Sequence, residues 1–278
     1  MNLLKRRILP IAILWLSFVA WAWTANDTVR VLAIGNSFSW DAVEQELYPL
    51  CHAAGQEIVI GNLYYGGCSL AQHYYFMTNH VSAYSFRLIK DGVRTATPNG
   101  SVSLREALQY GKWDYISLQQ ASHDSGIKST FEPYLSALED TVKAYQPEAK
   151  LLWHETWSYS KDAAHPAYKL YHHSQTEMDD SIAACKAMVT TEHPELRVIP
   201  AGTAIRLARK TRLGDTLCRD GYHLNYSYGR YLAACVWYEV LTGKNARKNP
   251  YAPDSVSKKQ KRICRRIAHK AVKNNVQK

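Results

Sequence analysis

The chain has 278 residues, 46% of them hydrophobic and 21% charged, enough to bury the core of one large α/β domain. Its formal net charge of +10 sits at the two ends. Three cations stand in Lys5-Arg6-Arg7 and nine follow Ser257 with no acid among them, so the body is close to neutral. No nucleic-acid recognition motif appears, and nucleic acid is a poor partner for a chain whose leader predicts export.

The first cations precede an unbroken apolar run over residues 8–23, with Ala20-Trp21-Ala22 as a small-x-small cleavage site. This pattern predicts a signal peptide over residues 1–25, cleaved after Ala22 or Ala25, and a periplasmic or secreted protein. An uncleaved membrane anchor is the alternative, because the run is only slightly short of a spanning helix. An oxidising compartment permits disulfides among Cys51, Cys68, Cys185, Cys218, Cys235 and Cys264. No C-x-x-C pair suggests a metal or redox motif, and buried free thiols are the simpler account of most of them.

Residues 28–34 read as a buried first strand, followed by helical spacing over 41–54 and a second strand over 57–60. The stretch 72–112 is aromatic and polar, with 81–90 and 92–97 as a candidate inserted hairpin. Further strands are predicted over 113–118, 150–154 and 197–200. Helices are predicted at about 131–145, 175–192, 201–209 and 226–242. Alternating strands and helices call for a parallel sheet of five strands covered on both faces, with sites at the strands' carboxyl ends. A hydrolase domain over 26–245 and a basic C-terminal tail over 246–278 complete the organisation. The tail has a thin apolar stripe of Ile263, Ile267, Ala271 and Val276, and a solvated, partly frayed helix is its simplest reading. Contact with anionic lipid or acidic polysaccharide is the alternative.

Chemistry gathers in a few short segments. Ser37, in Gly35-Asn36-Ser37-Phe38-Ser39, follows the first strand, where a simple turn with Ser39 or Asp41 capping the next helix would look much the same. Asp220-Gly221-Tyr222-His223 supplies an Asp-x-x-His pair near the other end. A serine hydroxyl needs a neighbouring imidazole to accept its proton, and the imidazole needs a carboxylate to hold its tautomer. Ser37, Asp220 and His223 fit those roles, in the chain order nucleophile, acid, base.

These segments resemble the SGNH (GDSL-like) hydrolase family across nearly the whole mature chain. Gly35 to Ser39 is similar to the family's nucleophile block, with Asn36 where Asp is commoner. Gly67, in Tyr65-Gly66-Gly67-Cys68-Ser69, is similar to the second block, and Asp220 to Leu224 to the last. The third block departs: Ala121-Ser122-His123-Asp124 stands where the family has Gly-x-Asn-Asp. The resemblance implies a flavodoxin-like three-layer α/β/α sandwich and ester hydrolysis, often carbohydrate deacetylation. It also implies an oxyanion held by the N–H groups of Ser37 and Gly67 and one further side chain, His123, Gln120 or Gln119. No cofactor or metal is called for.

Past the fourth strand, Glu155, Trp157 and Tyr159 are candidates for binding substrate at the cleft rim, the aromatic rings by stacking on sugars. Packing as ordinary loop anchors is the alternative for those rings. The reading is an exported serine esterase acting on acylated carbohydrate. Its alternatives are a lipid or peptidoglycan O-acyl esterase and a catalytically silent carbohydrate-binding protein.

Overall fold

The computed structural model describes residues 28–276, so the leader and both cleavage sites lie outside the described residues. β1 (Val29–Gly35) sits at the centre of the molecule. Val31 and Ala33 enter one core, and Leu32 and Ile34 enter the other. Side chains alternate across a strand, so a stretch covered on both faces is apolar throughout, as β1 is from Val31 to Ile34.

β2 (Ile58–Tyr64), β1, β5 (Tyr115–Leu118), β6 (Lys150–His154) and β7 (Arg197–Ile199) are parallel neighbours in that order. This is the flavodoxin-like order, whose switch point lies beside the first strand. The sheet has seven strands rather than the five expected. β3 (Ser85–Lys90) and β4 (Val93–Ala96) extend it antiparallel beyond β2. They form the candidate hairpin, turned at Asp91-Gly92, where both residues have positive φ. Such turns match the twist of paired strands.

One face of the sheet is covered by α1 (Ser37–Val43), α2 (Leu47–His52), α7 (Ala201–Arg209) and α8 (Tyr228–Thr242). The other carries α3 (Leu70–Thr78), α4 (Leu104–Gln109) and α5 (Tyr134–Tyr145). α6 (Gln175–Glu192) spans the sheet edge, giving Met178 and Ile182 to one core and Cys185 and Val189 to the other. The single helix expected over 41–54 is two. The chain breaks after Val43 because Glu44 turns inward, accepting from Asn62 Nδ2 at 2.7 Å and pairing with Arg87 at 3.3 Å.

The basic tail is not a frayed, solvated helix. α9 (Lys258–Val276) buries Ile263, Cys264, Ile267, Ala268 and Ala271 against α7 and α8. Cys264 and Ala268 double the width of the apolar stripe. A capping box between Ser257 and Gln260 starts the helix. With α9 above it and the sheet below, α8 is buried along nearly its whole length. All six thiols are free, five of them buried, and burial raises Cys51 and Cys264 to about 12. Among the described residues no helix is long and apolar enough to cross a membrane.

Candidate active site

Ser37 opens α1 directly beyond the carboxyl end of β1. Asn36 is the N-cap, its Oδ1 accepting from Phe38 N at 3.0 Å. The Asn36 amide also ties neighbouring segments together. Oδ1 accepts from Gln119 Nε2 at 2.7 Å, and Nδ2 donates to the Cys68 carbonyl at 3.0 Å. Gln119 Oε1 in turn faces His154 Nδ1 at 2.9 Å. Since that oxygen can only accept, the proton of His154 lies on Nδ1. Three strand ends are thus locked together beneath the serine by one buried chain of hydrogen bonds. Ser39 is not a cap; its hydroxyl shares its one proton between the Asn36 carbonyl at 2.8 Å and Asn62 Oδ1 at 2.9 Å.

Cys68 N donates to the Tyr65 carbonyl at 3.2 Å, closing a turn in which Gly67 takes φ +67°. That conformation suits glycine. The Gly67 N–H is exposed and makes no hydrogen bond among the described residues. Ser37 is half-buried and its hydroxyl makes no hydrogen bond among the described residues, so it is not bonded to His223 here. Nucleophile–base contacts are often long before substrate arrives.

His223 and Asp220 are brought together. His223 Nδ1 lies 2.7 Å from Asp220 Oδ2, while Asp220 Oδ1 accepts from the N–H groups of His223 at 2.8 Å and Tyr222 at 3.2 Å. Burial pulls the Asp220 carboxyl up, but these hydrogen bonds together outweigh it and hold the group below its ordinary value. A carboxylate only accepts, so the imidazole proton sits on Nδ1 and Nε2 keeps its lone pair, with no hydrogen-bond partner among the described residues. Gly221, at φ +90°, packs so closely on Ala163 that a Cβ would stand 2.8 Å from its Cα.

Three contacts join this loop to the helix that Ser37 opens. Trp157 stacks on Phe38 with ring centroids 4.2 Å apart, and its Nε1 donates to the Tyr222 carbonyl at 2.8 Å. The His223 ring lies 6.2 Å from that of Phe38. Asp41, fully buried one turn beyond Ser37, accepts from Leu224 N at 2.7 Å and pairs with Arg230 at 2.6 Å and Arg219 at 3.2 Å. Arg219 also donates to the Leu224 carbonyl, and its own N–H donates to the His223 carbonyl.

Several predicted site residues take other roles. Trp157 and Tyr159 are buried, so neither ring is free to stack on a sugar. Tyr159 faces Ser122, His165 and Tyr222. Glu155 is also buried, accepting from Thr203 N and pairing with Lys186 at 2.9 Å. Gln120 is spent internally: its Oε1 accepts from Leu70 N and Ala121 N, and its Nε2 donates to Thr130. Gln119 is occupied between Asn36 and His154. His123 remains half-exposed, its Nε2 3.6 Å from Asp124.

Sequence reasoning passed over Asp41 as more than a cap, and passed over His165. The His165 ring stands 4.8 Å from Tyr222 and 6.4 Å from His123. Its Nδ1 accepts from Ala167 N at 3.2 Å, so its proton lies on Nε2. Burial, then the nearby His123 and His223, hold its pKa below the ordinary value. The only signal was a histidine directly before Pro166, at the start of a short 3-10 turn.

The architecture is that of SGNH hydrolases. A protein from Slackia heliotrinireducens assigned to the SGNH hydrolases is similar over 77% of this chain and 98% of its own, with TM-score 0.54 and 21% identity. A lipase/acylhydrolase from Enterococcus faecalis is similar over 77% of this chain and 96% of its own, with TM-score 0.51 and 13% identity. At those identities the likeness is one of fold. No curated protein matches the chain. A crystal structure of a DUF4886 family protein from Bacteroides uniformis is 42% identical, with TM-score 0.86 over 88% of this chain and 95% of that one. The model of the domain of unknown function DUF4886 matches residues 30–271, and the chain belongs to that family.

Proposed function

We propose that the protein is an exported serine esterase that removes O-acyl groups, O-acetyl above all, from carbohydrate. The observation that carries this reading is the Asp220–His223 pair at 2.7 Å, its imidazole held beside the residue that follows Ser37. The leader pattern supports export, and the fold shared with an acylhydrolase supports the reaction class.

His223 Nε2 takes the Ser37 proton as Oγ attacks the ester carbonyl, and Asp220 steadies the imidazolium. The N–H groups of Ser37 and Gly67 bind the developing oxyanion, with His123 as the third donor now that both glutamines are committed elsewhere. The tetrahedral intermediate collapses, the sugar oxygen leaves with the proton from His223, and an acyl-Ser37 ester remains. Water, deprotonated by His223, releases the carboxylic acid and restores Ser37.

The cleft's sugar-facing ring is Tyr226 rather than Trp157 or Tyr159. Tyr226 is 65% exposed, three residues beyond His223, and the Arg219 and Arg230 guanidiniums lie 4.6 and 4.5 Å from its centroid. An aromatic face held this way suits a sugar ring, apolar on its face and polar at its edge.

A fluorophosphonate probe tests the nucleophile. One equivalent should attach at Ser37, more slowly in His223→Ala and not at all in Ser37→Ala. Labelling that survives in Ser37→Ala would remove Ser37 from its role.

A further inference from the structure

A groove of about 630 Å³ lies between the segment following α7 and the outward face of α9, and none of Ser37, Asp220 and His223 lines it. Five of its lining side chains are cations: Lys210 and Arg212 on one bank, Lys259, Arg262 and Arg266 on the other. Thr211 and Ile263 complete the lining, with no acid. None of the five makes a side-chain hydrogen bond or ion pair among the described residues. Several arginines elsewhere are partnered: Arg209 by Asp215, Arg219 and Arg230 by Asp41, Arg265 by the Tyr231 hydroxyl. On the neighbouring flank of α9, burial and the charge of Arg265 hold Lys261 below its ordinary pKa.

Arg262, Arg266 and Lys270 recur every fourth residue on the exposed face of α9, a step of about 6 Å along the helix axis. Like charges held in such a row repel one another, and no acid among the described residues pairs with them. Two features narrow the counter-ion. The apolar stripe of α9 is already buried against α7 and α8, so the helix has no face left to insert into lipid. The lining has no aromatic side chain on which nucleobases could stack.

We propose that this groove binds a carboxylate-bearing polysaccharide chain. Forked guanidiniums take carboxylates in pairs, and lysines at the rim add charge without fixed geometry. The choice of a polysaccharide among polyanions rests on reading the triad as a carbohydrate esterase. On that reading the substrate is an acylated acidic glycan. Lys210 and Arg212 begin the same stretch of chain that ends in Asp220 and His223, so polymer binding and catalysis share one segment.

The test is titration of the purified protein with polygalacturonate oligomers, neutral dextran, and vesicles containing phosphatidylserine. The Arg262→Gln/Arg266→Gln variant serves as control. Polygalacturonate should bind and dextran should not. Binding should weaken roughly tenfold when salt rises from about 50 to about 200 mM, the behaviour of a contact made by several charges. The double variant, altered only at exposed positions, should lose about tenfold in polymer affinity while hydrolysing a small acetyl ester at the wild-type rate. Unchanged polymer affinity in the variant, no polymer binding at all, or preference for the vesicles would overturn the proposal. The small-ester assay reads the triad separately, so a failed esterase and a failed groove are distinguishable.

Discussion

The Asp41 carboxylate accepts the Leu224 N–H at 2.7 Å, joining the helix that begins at Ser37 to the residue after His223, 183 positions later in the chain. Asp41 is fully buried with Arg230 and Arg219 as its counter-charges. Asp41→Asn keeps the shape but leaves two guanidiniums, both largely buried, without that charge. Removing one partner of such a cluster costs about 3–5 kcal/mol. Urea unfolding should show a loss of that order; a change below about 1 kcal/mol, the worth of a surface pair, would contradict it.

Asn36 differs from the aspartate commoner in SGNH hydrolases, and its amide explains why. Asn36→Asp retains an acceptor for Phe38 N and Gln119 Nε2 but loses the donor to the Cys68 carbonyl. The carboxylate would then face a carbonyl oxygen in a buried setting. The expected cost is about 1–3 kcal/mol, with turnover falling as the Gly67 turn shifts. Wild-type stability and turnover in this variant would show that the Cys68 contact is dispensable.

Trp157 and Tyr226 should separate cleanly in kinetics. Trp157→Ala removes a buried ring stacked on Phe38 and should destabilise the fold by about 3–5 kcal/mol. Tyr226→Ala should leave stability nearly unchanged and raise KM on glycan substrates, while KM on a small ester stays put. A raised glycan KM in a well-folded Trp157→Phe, with Tyr226→Ala silent, would reverse the assignment.

Acid should destabilise the protein earlier than carboxylate titration alone would. Burial lowers His73 and His154 to about 3, against about 6.5 for an unfolded histidine. Below about 6.5 the unfolded chain therefore binds protons that the folded chain refuses. Stability from these groups is complete above that pH and is lost as pH falls toward 3, by up to about 1.4 kcal/mol per pH unit for each histidine. Thermal midpoints across this range should decline from near pH 6.5. A flat profile from about pH 7 to about pH 5 would contradict the burial of these imidazoles as neutral rings.

Much of this was legible in the sequence because it is local. The five parallel strands are short apolar runs, and Asp220 and His223 meet within one loop. What escaped depends on long-range contact. Asp41 reads as an ordinary helix residue until Leu224, Arg219 and Arg230 arrive from the far end of the chain. Trp157 and Tyr159 look like cleft aromatics because they follow a strand, but the segment turns inward under the 219–224 loop. Gln120 has the right amide in the right place, yet its Nε2, the donor an oxyanion would need, is spent on Thr130. The tail was misread for a compositional reason: nine cations drew attention from Cys264 and Ala268, which let α9 lie close on α7 and α8.

The central claim is that Ser37 carries an ester-cleaving acyl transfer. The direct test is acetate release from acetylated glycans and a small acetyl ester by the wild type and by Ser37→Ala. The Ser37 side chain makes no hydrogen bond among the described residues, so the variant should fold as the wild type does. The wild type should release acetate, and the variant should lose at least about 10⁴-fold. Equal release by both proteins, or none from any acetyl donor by a folded wild type, would contradict it.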